Sequence, residues 1–260
     1  MVALDEVASA SEPRYRLPEN ISQSEIRNEL SNLTLFGDDP NLRIQAFNLA
    51  LVDEFIMRLE YDLMKRQLQE ERAPVNEATF VSAQSQMWIF AAYELMRTWR
   101  QRAREIIKLF EAGTLRARQE ELRKDEGFHH VARIWRAEQI ESILASPSRL
   151  QNIRDDLRRT HIPFARMEFI RISLAKHEVR RQRNSVALMP TLGRINTWCG
   201  SLDFEIENGA ASLGTISRRD IADEIRAFSS QEELPSDELI QAFEEFMQAE
   251  SMDIDWQSVR

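Results

Sequence analysis

The sequence predicts a mainly all-α protein: a multi-helix bundle around two long central helices, with a small C-terminal β-hairpin plus helices. Three observations predict it. Apolar residues between positions 40 and 180 recur at the three- and four-residue spacing of amphipathic helices. Only 7 glycines occur in 260 residues, too few for the glycine-rich turns of a dinucleotide-binding sheet. Asn208-Gly209 stands between two short β-like runs, and this dipeptide is the strongest short hairpin signal because both turn residues adopt positive φ.

The elements follow in order. Residues 1–38 read as a flexible arm with room for one short helix, since the first twenty are small or polar and include Pro13 and Pro18. Asp39 then offers an N-cap, with Pro40 at the first helical position. Over residues 40–71, Phe47, Leu51, Phe55, Leu59 and Leu63 repeat at i+4, with Ile44, Val52 and Ile56 beside them. That stripe is expected to be the buried face of a long helix. Pro74 breaks it, and Asn76 is expected to cap a second long helix over 76–111. The middle of this helix, "MWIFAAYELM", is apolar on nearly every face and is expected to be central; Gly113 stops it. Two shorter helices separated at Gly127, a helix capped at Ser148, a break at Pro163 and a helix to about Arg180 complete a bundle core over 39–194. Residues 195–260 read as a small acidic hairpin-and-helix segment. In it Ser217 and Asp220 have capping-box spacing, and Ser236 caps a last acidic helix.

Composition narrows the function classes. No run of eighteen apolar residues occurs, the N-terminal stretch lacks the apolar segment of a signal peptide, and a cytoplasmic protein with no membrane association is expected. Cys199 is the only cysteine, which excludes an intrachain disulfide and a cysteine-built zinc site. The net charge of −9 hides an asymmetry: residues 1–96 carry −8, residues 97–194 carry +10 and residues 195–260 carry −11. A basic middle between acidic flanks is either a polyanion site or a basic layer packed on acidic neighbours. Of the 34 basic residues only Lys65, Lys108, Lys124 and Lys176 are lysines. Arginine's planar fork suits bidentate contacts to phosphate and carboxylate; a GC-rich coding sequence produces the same bias.

No glycine-rich phosphate loop, GxSxG or HExxH is present, so neither cofactor nor metal is expected. The histidines are His129, His130, His161 and His177, without metal-ligand spacing. In "YELMRTWRQRAR", Glu94 and Arg97 are i,i+3 and can pair, while Arg97, Arg100 and Arg104 lie along one side of a helix. Polar groups where a helix leaves an apolar core either hold the bundle together as ion pairs or line a cleft.

The segment "RISLAKHEVRR", residues 171–181, carries the densest chemistry. Met167, Ile170, Leu174 and His177 form one stripe, so His177 continues a buried face toward the helix end. Arg171 stands about 240° away on an ideal helix. The two converge only across a dimer, through a helix distortion or around one ligand. As a packed residue, His177 hydrogen-bonds a neighbour and favours the helix C-terminus when protonated. As a chemical pair, the histidine moves a proton near neutral pH and the arginine stabilises charge on a phosphate.

The spacing of Arg171, five residues, then His177 in "RISLAKHE" resembles the Arg-x(4–6)-His signature of the HEPN superfamily, all-α nucleotide-binding and ribonuclease domains. The family's polar residue after the arginine is Ile172 here. The resemblance implies a metal-independent ribonuclease or an RNA/nucleotide-binding relative in prokaryotic defence or a toxin–antitoxin pair. It also implies a homodimer that brings two motifs into one cleft. Arg171 and His177 are then the catalytic candidates, with Lys176, Glu178, Arg180, Arg181 and Arg97 around the substrate. The rival expectation is a non-enzymatic interaction or scaffold protein whose acidic C-terminal segment binds a protein partner. The two differ on His177→Ala. On the enzymatic expectation, RNA cleavage is lost in a gel-based assay while the circular dichroism melt is retained. On the other, only stability changes, by about 1–3 kcal/mol.

Overall fold

The computed structural model describes residues 15–70, 74–124, 127, 130–175, 186–188, 194–207, 212–230 and 233–248. After a short 3₁₀ turn at Pro18–Asn20, the helices are α1 (Ser24–Asn32), α2 (Pro40–Glu70), α3 (Val75–Glu111), α4 (Leu115–Arg123), α5 (Val131–Ala145), α6 (Pro147–Arg159) and α7 (His161–Ala175). Strands β1 (Val186–Leu188), β2 (Asp203–Glu207) and β3 (Ser212–Ser217) follow, then α8 (Arg218–Arg226) and α9 (Asp237–Gln248). The strands form one antiparallel sheet in the order β1-β2-β3. The mainly all-α prediction with a small hairpin therefore holds, and β1 is a strand that sequence reading did not identify.

Local signals account for most boundaries. Asp39 Oδ1 accepts from the backbone N–H groups of Asn41 and Leu42 at 2.8 and 3.1 Å, satisfying two donors at the start of α2. Ser217 and Asp220 make the expected capping box at α8, and Ser236 Oγ accepts from Leu239 N–H at 3.2 Å before α9. Gly113 and Gly127 both adopt positive φ, at the end of α3 and between α4 and α5. Three expected boundaries differ. α3 starts at Val75, directly after Pro74, without a side-chain cap from Asn76. α6 starts at Pro147 rather than being capped at Ser148. The break before α7 falls at Thr160; Pro163 lies in the first turn of α7, where its missing N–H has no intrahelical acceptor to lose.

The core runs through the centre of α3, where Trp88, Ile89, Ala92, Met96, Trp99 and Ala103 are all sealed. Met167, Ile170 and Leu174 of α7 are buried against it, as their spacing predicts. Sequence reading sets residues 195–260 apart, yet Phe204, Ile216, Ile221, Ile225 and Phe228 share this same core.

The largest correction concerns α2. Ile56 and Leu63 are buried, but Ile44, Phe47, Val52, Phe55 and Leu59, expected to face the core, are 38–58% exposed. The buried face is instead Leu42, Ala46, Leu49, Ala50, Asp53, Ile56, Met57, Glu60 and Leu63. α2 is apolar on two sides, and the fold uses the one where Ala46 and Ala50 allow close approach and two acids meet partners.

Those acids form a sealed charge cluster with α8. Glu60 accepts from Arg218 Nε at 2.8 Å, from Arg218 Nη2 at 2.5 Å and from Ser201 Oγ at 2.6 Å. Asp53 accepts from Nη1 of Arg218 and from Nη2 of Arg226. Arg218 and Glu60 have no exposed side-chain surface, and the Arg218 guanidinium lies 5.4 Å from the Trp88 ring centroid. Burial alone would lower the Arg218 pKa, but Glu60 and Asp53 outweigh it and raise it. The Ser201 loop approaches α2 so closely that a Cβ on Gly200 would stand 1.8 Å from the Glu60 carbonyl oxygen, at φ +77. Removing one member leaves an uncompensated buried charge. Glu60→Ala is therefore expected to lower the unfolding free energy by about 3–5 kcal/mol, read from urea denaturation.

Candidate anion-binding cleft

Tyr93, Arg97, Arg100 and Arg104 follow one another at four-, three- and four-residue intervals, so α3 carries them on one side. His161, Phe164, Glu168 and Arg171 do the same on α7 at intervals of three, four and three. The two helices pack together. Between them lies a cleft of about 400 Å³ lined by Tyr93, Arg97, Arg100, Arg104, His161 and Glu168 among others, with Glu244 of α9 at its rim. That volume lies within the range of small-molecule sites, about 300–1,000 Å³.

Ring stacking, hydrogen bonds and ion pairs link the walls. Tyr93 and Phe164 stack with centroids 5.4 Å apart and an interplanar angle of 18°. The Tyr93 hydroxyl donates to Glu168 Oε1 at 3.0 Å. Burial and this hydrogen bond push the Tyr93 phenol pKa up. Arg171 lies with its guanidinium 5.2 Å from the Tyr93 centroid, and its Nη2 is 3.5 Å from Glu94 Oε1. Arg97 donates to Glu94 Oε2 through Nε at 2.8 Å and also contacts it through Nη2 at 2.6 Å. The structure thus brings Arg97 and Arg171 onto one carboxylate, and the expected Glu94–Arg97 pair is present. Its half-exposed geometry makes it worth little to stability.

Arg100 differs from every other arginine around the cleft. It is 2% exposed. Its Nη1 donates to Leu157 O at 3.0 Å and Thr160 Oγ1 at 2.6 Å, both neutral acceptors. Its Nε is buried with no hydrogen-bond partner, and no carboxylate among the described residues forms an ion pair with it. The guanidinium lies 4.7 Å from the Phe164 centroid. Burial, reinforced by nearby Arg104 and partly offset by Glu168, lowers its pKa to about 10, so it stays charged at neutral pH. A nearly sealed, charged guanidinium without a carboxylate in direct contact is the type of group that an incoming anion would neutralise.

The acidic helix α9 docks beside the cleft. His161 Nε2 and Glu244 Oε1 are 2.9 Å apart, Arg158 and Asp237 form a 2.7 Å ion pair, and Arg158 also donates to Pro235 O. The basic middle and the acidic C-terminal segment meet here, as the charge asymmetry allows.

Of the residues singled out from sequence, Arg97 lines the cleft and Arg171 lies beside it against Tyr93 and Glu94; Lys176, His177, Glu178, Arg180 and Arg181 lie outside the described residues. The sequence marks Arg100 and Arg104 only as part of a helix face and does not single out His161 and Glu168 as site residues. The matching stripes at 93/97/100/104 and 161/164/168/171 are the signal that could have found them. Cys199 is buried, and burial raises its pKa to about 12, which keeps it a thiol at neutral pH. Among the described residues no group of three or more His, Cys, Asp or Glu side chains is placed to hold a metal. None of their helices is long and apolar enough to cross a membrane. Comparison with protein-family models, curated proteins and solved structures finds no match.

Arg100→Met removes the uncompensated charge and keeps an apolar stem against Phe164. Its unfolding free energy without ligand is expected to stay within about 1 kcal/mol of the unmodified protein or to rise, because apolar replacements of buried charge are often neutral or stabilising. Denaturant titration measures it.

Proposed function

We propose that this protein binds RNA or a nucleotide through the α3–α7 cleft, as an HEPN-like helical protein acting either as a metal-independent ribonuclease or as a non-catalytic binding relative. Arg100 carries the reading: it is charged, almost sealed, forms no ion pair with a carboxylate among the described residues, and lines a cleft with Arg104, His161 and Glu168. A phosphate there would gain charge-assisted hydrogen bonds in a site of low dielectric.

In the catalytic form, His177 transfers the proton of the attacking 2′-hydroxyl or of the leaving oxygen, and Arg171 stabilises the charge on the phosphate. Glu94 holds Arg171 beside the Tyr93 ring and near the cleft. Such chemistry fits a role in prokaryotic defence or a toxin–antitoxin pair within the cytoplasm. A second reading, an interaction protein, draws on a different observation: the apolar side of α2 that the fold leaves open.

Binding of a short fluorescent single-stranded RNA, measured by anisotropy across a salt series, tests the proposal. The expected log-affinity falls with log salt by about 0.7 per phosphate contacted. Arg100→Met is expected to weaken binding at least tenfold while remaining folded. RNA left both intact and unbound at low salt overturns the reading; so does unchanged binding by Arg100→Met.

A further inference from the structure

α2 and α3 form an αα-hairpin: they run antiparallel, joined across residues 71–74, and pack together. The inner side of this hairpin is in the core. The outer side carries a second apolar stripe. On α2 it is Ile44, Phe47, Phe55 and Leu59, 38–58% exposed; on α3 it includes Phe80 and Met87, 54% and 64% exposed. On an ideal helix of 3.6 residues per turn, the α2 set lies roughly opposite Asp53 and Glu60. Beside the ridge, a groove of about 550 Å³ runs between the helices, floored by Leu49 and Trp88 and flanked by Val52, Met87 and Ala91.

We infer that this face is covered by the same face of a second copy of the chain, closing an antiparallel four-helix bundle from two hairpins. The spacing along α2 supports this occupant. Ile44 and Leu59 are centred between positions 51 and 52, and Phe47 and Phe55 are centred on position 51. A two-fold axis near Leu51 therefore sets Ile44 opposite Leu59 of the copy and Phe47 opposite Phe55. Such an isologous contact is self-complementary and closes on itself. A lone partner helix seated in the groove would leave the ridge of Phe47 and Phe55 in water; a second hairpin covers ridge and groove together.

Ile44 to Leu59 spans about 22 Å of α2, so two helices side by side, each about 10 Å across, make a footprint of roughly 450 Å² per copy, the size of a small, concentration-dependent contact. Specific stable interfaces bury roughly 600–1,000 Å² per partner. The surface also combines exposed phenylalanines and a methionine, residue types enriched at interface centres. Phe80 and Met87 lie on a different side of α3 from the Arg100 stripe, although Glu94, which pairs with Arg97 and Arg171, lines one end of the groove.

Light scattering coupled to gel filtration of the full 260-residue chain is expected to give twice the 30.4 kDa monomer mass. Phe55→Glu, at a solvent-facing position, is expected to give the monomer with an unchanged circular dichroism spectrum. In a second measurement that leaves the fold untouched, Val52→Cys is expected to cross-link to itself with a short bismaleimide. Cys199 is buried and supplies little background, and Gln241→Cys on exposed α9 serves as the non-cross-linking control. A monomer at all concentrations overturns the inference. So does a dimer that survives Phe55→Glu, or cross-linking of Gln241→Cys but not Val52→Cys; these outcomes place any contact elsewhere.

Discussion

Four charges buried between α2 and α8 set the terms for the rest of the molecule. Asp53 and Glu60 lie on one side of α2, seven residues apart, and Arg218 and Arg226 come from α8. No member can be sealed alone, because desolvating a single charge costs several kcal/mol. Together they neutralise one another, and Ser201 adds a further donor to Glu60. The cluster makes α8 part of the core and draws the 195–202 loop onto the C-terminal half of α2. Gly200 is the residue that permits this approach.

The same constraint decides which way α2 faces. Its two sides compete in hydrophobicity, and the side with Phe47 and Phe55 is the greasier one to read. Turning that side inward would leave Asp53 and Glu60 in water and Arg218 and Arg226 buried without partners. The fold instead buries the acids with Ala46, Ala50 and Ile56, and leaves the aromatic stripe on the surface. A helix that is apolar on both sides reflects two demands, one from the core and one from the surface that we assign to a second copy.

Arginine serves two opposite purposes here. Arg218 is sealed among carboxylates, and its pKa is raised because they outweigh burial. Arg100 is almost as sealed, yet its partners are a carbonyl and a hydroxyl, and burial lowers its pKa to about 10. The first pattern is a finished structural contact. The second is a charge with hydrogen-bonding capacity left over, in a cleft, and this contrast separates a structural arginine from a candidate ligand-binding one.

The sequence by itself determined the helices, because periodicity, caps and breakers act within a few residues. Asp39, Ser217 with Asp220, Ser236 and Gly113 each mark an end through a local hydrogen bond or a permitted φ. It also showed that Arg97 can pair with Glu94, since they stand three residues apart on one helix. Only the tertiary structure decided which side of α2 is inside. That choice rests on Asp53 meeting Arg218 across 165 residues and Glu60 meeting it across 158. It likewise decided that Arg100 faces Thr160 rather than an acid, 60 residues away. Charge compensation between distant segments has no local signature, so hydrophobic spacing alone could name the stripes but not assign them to core or surface.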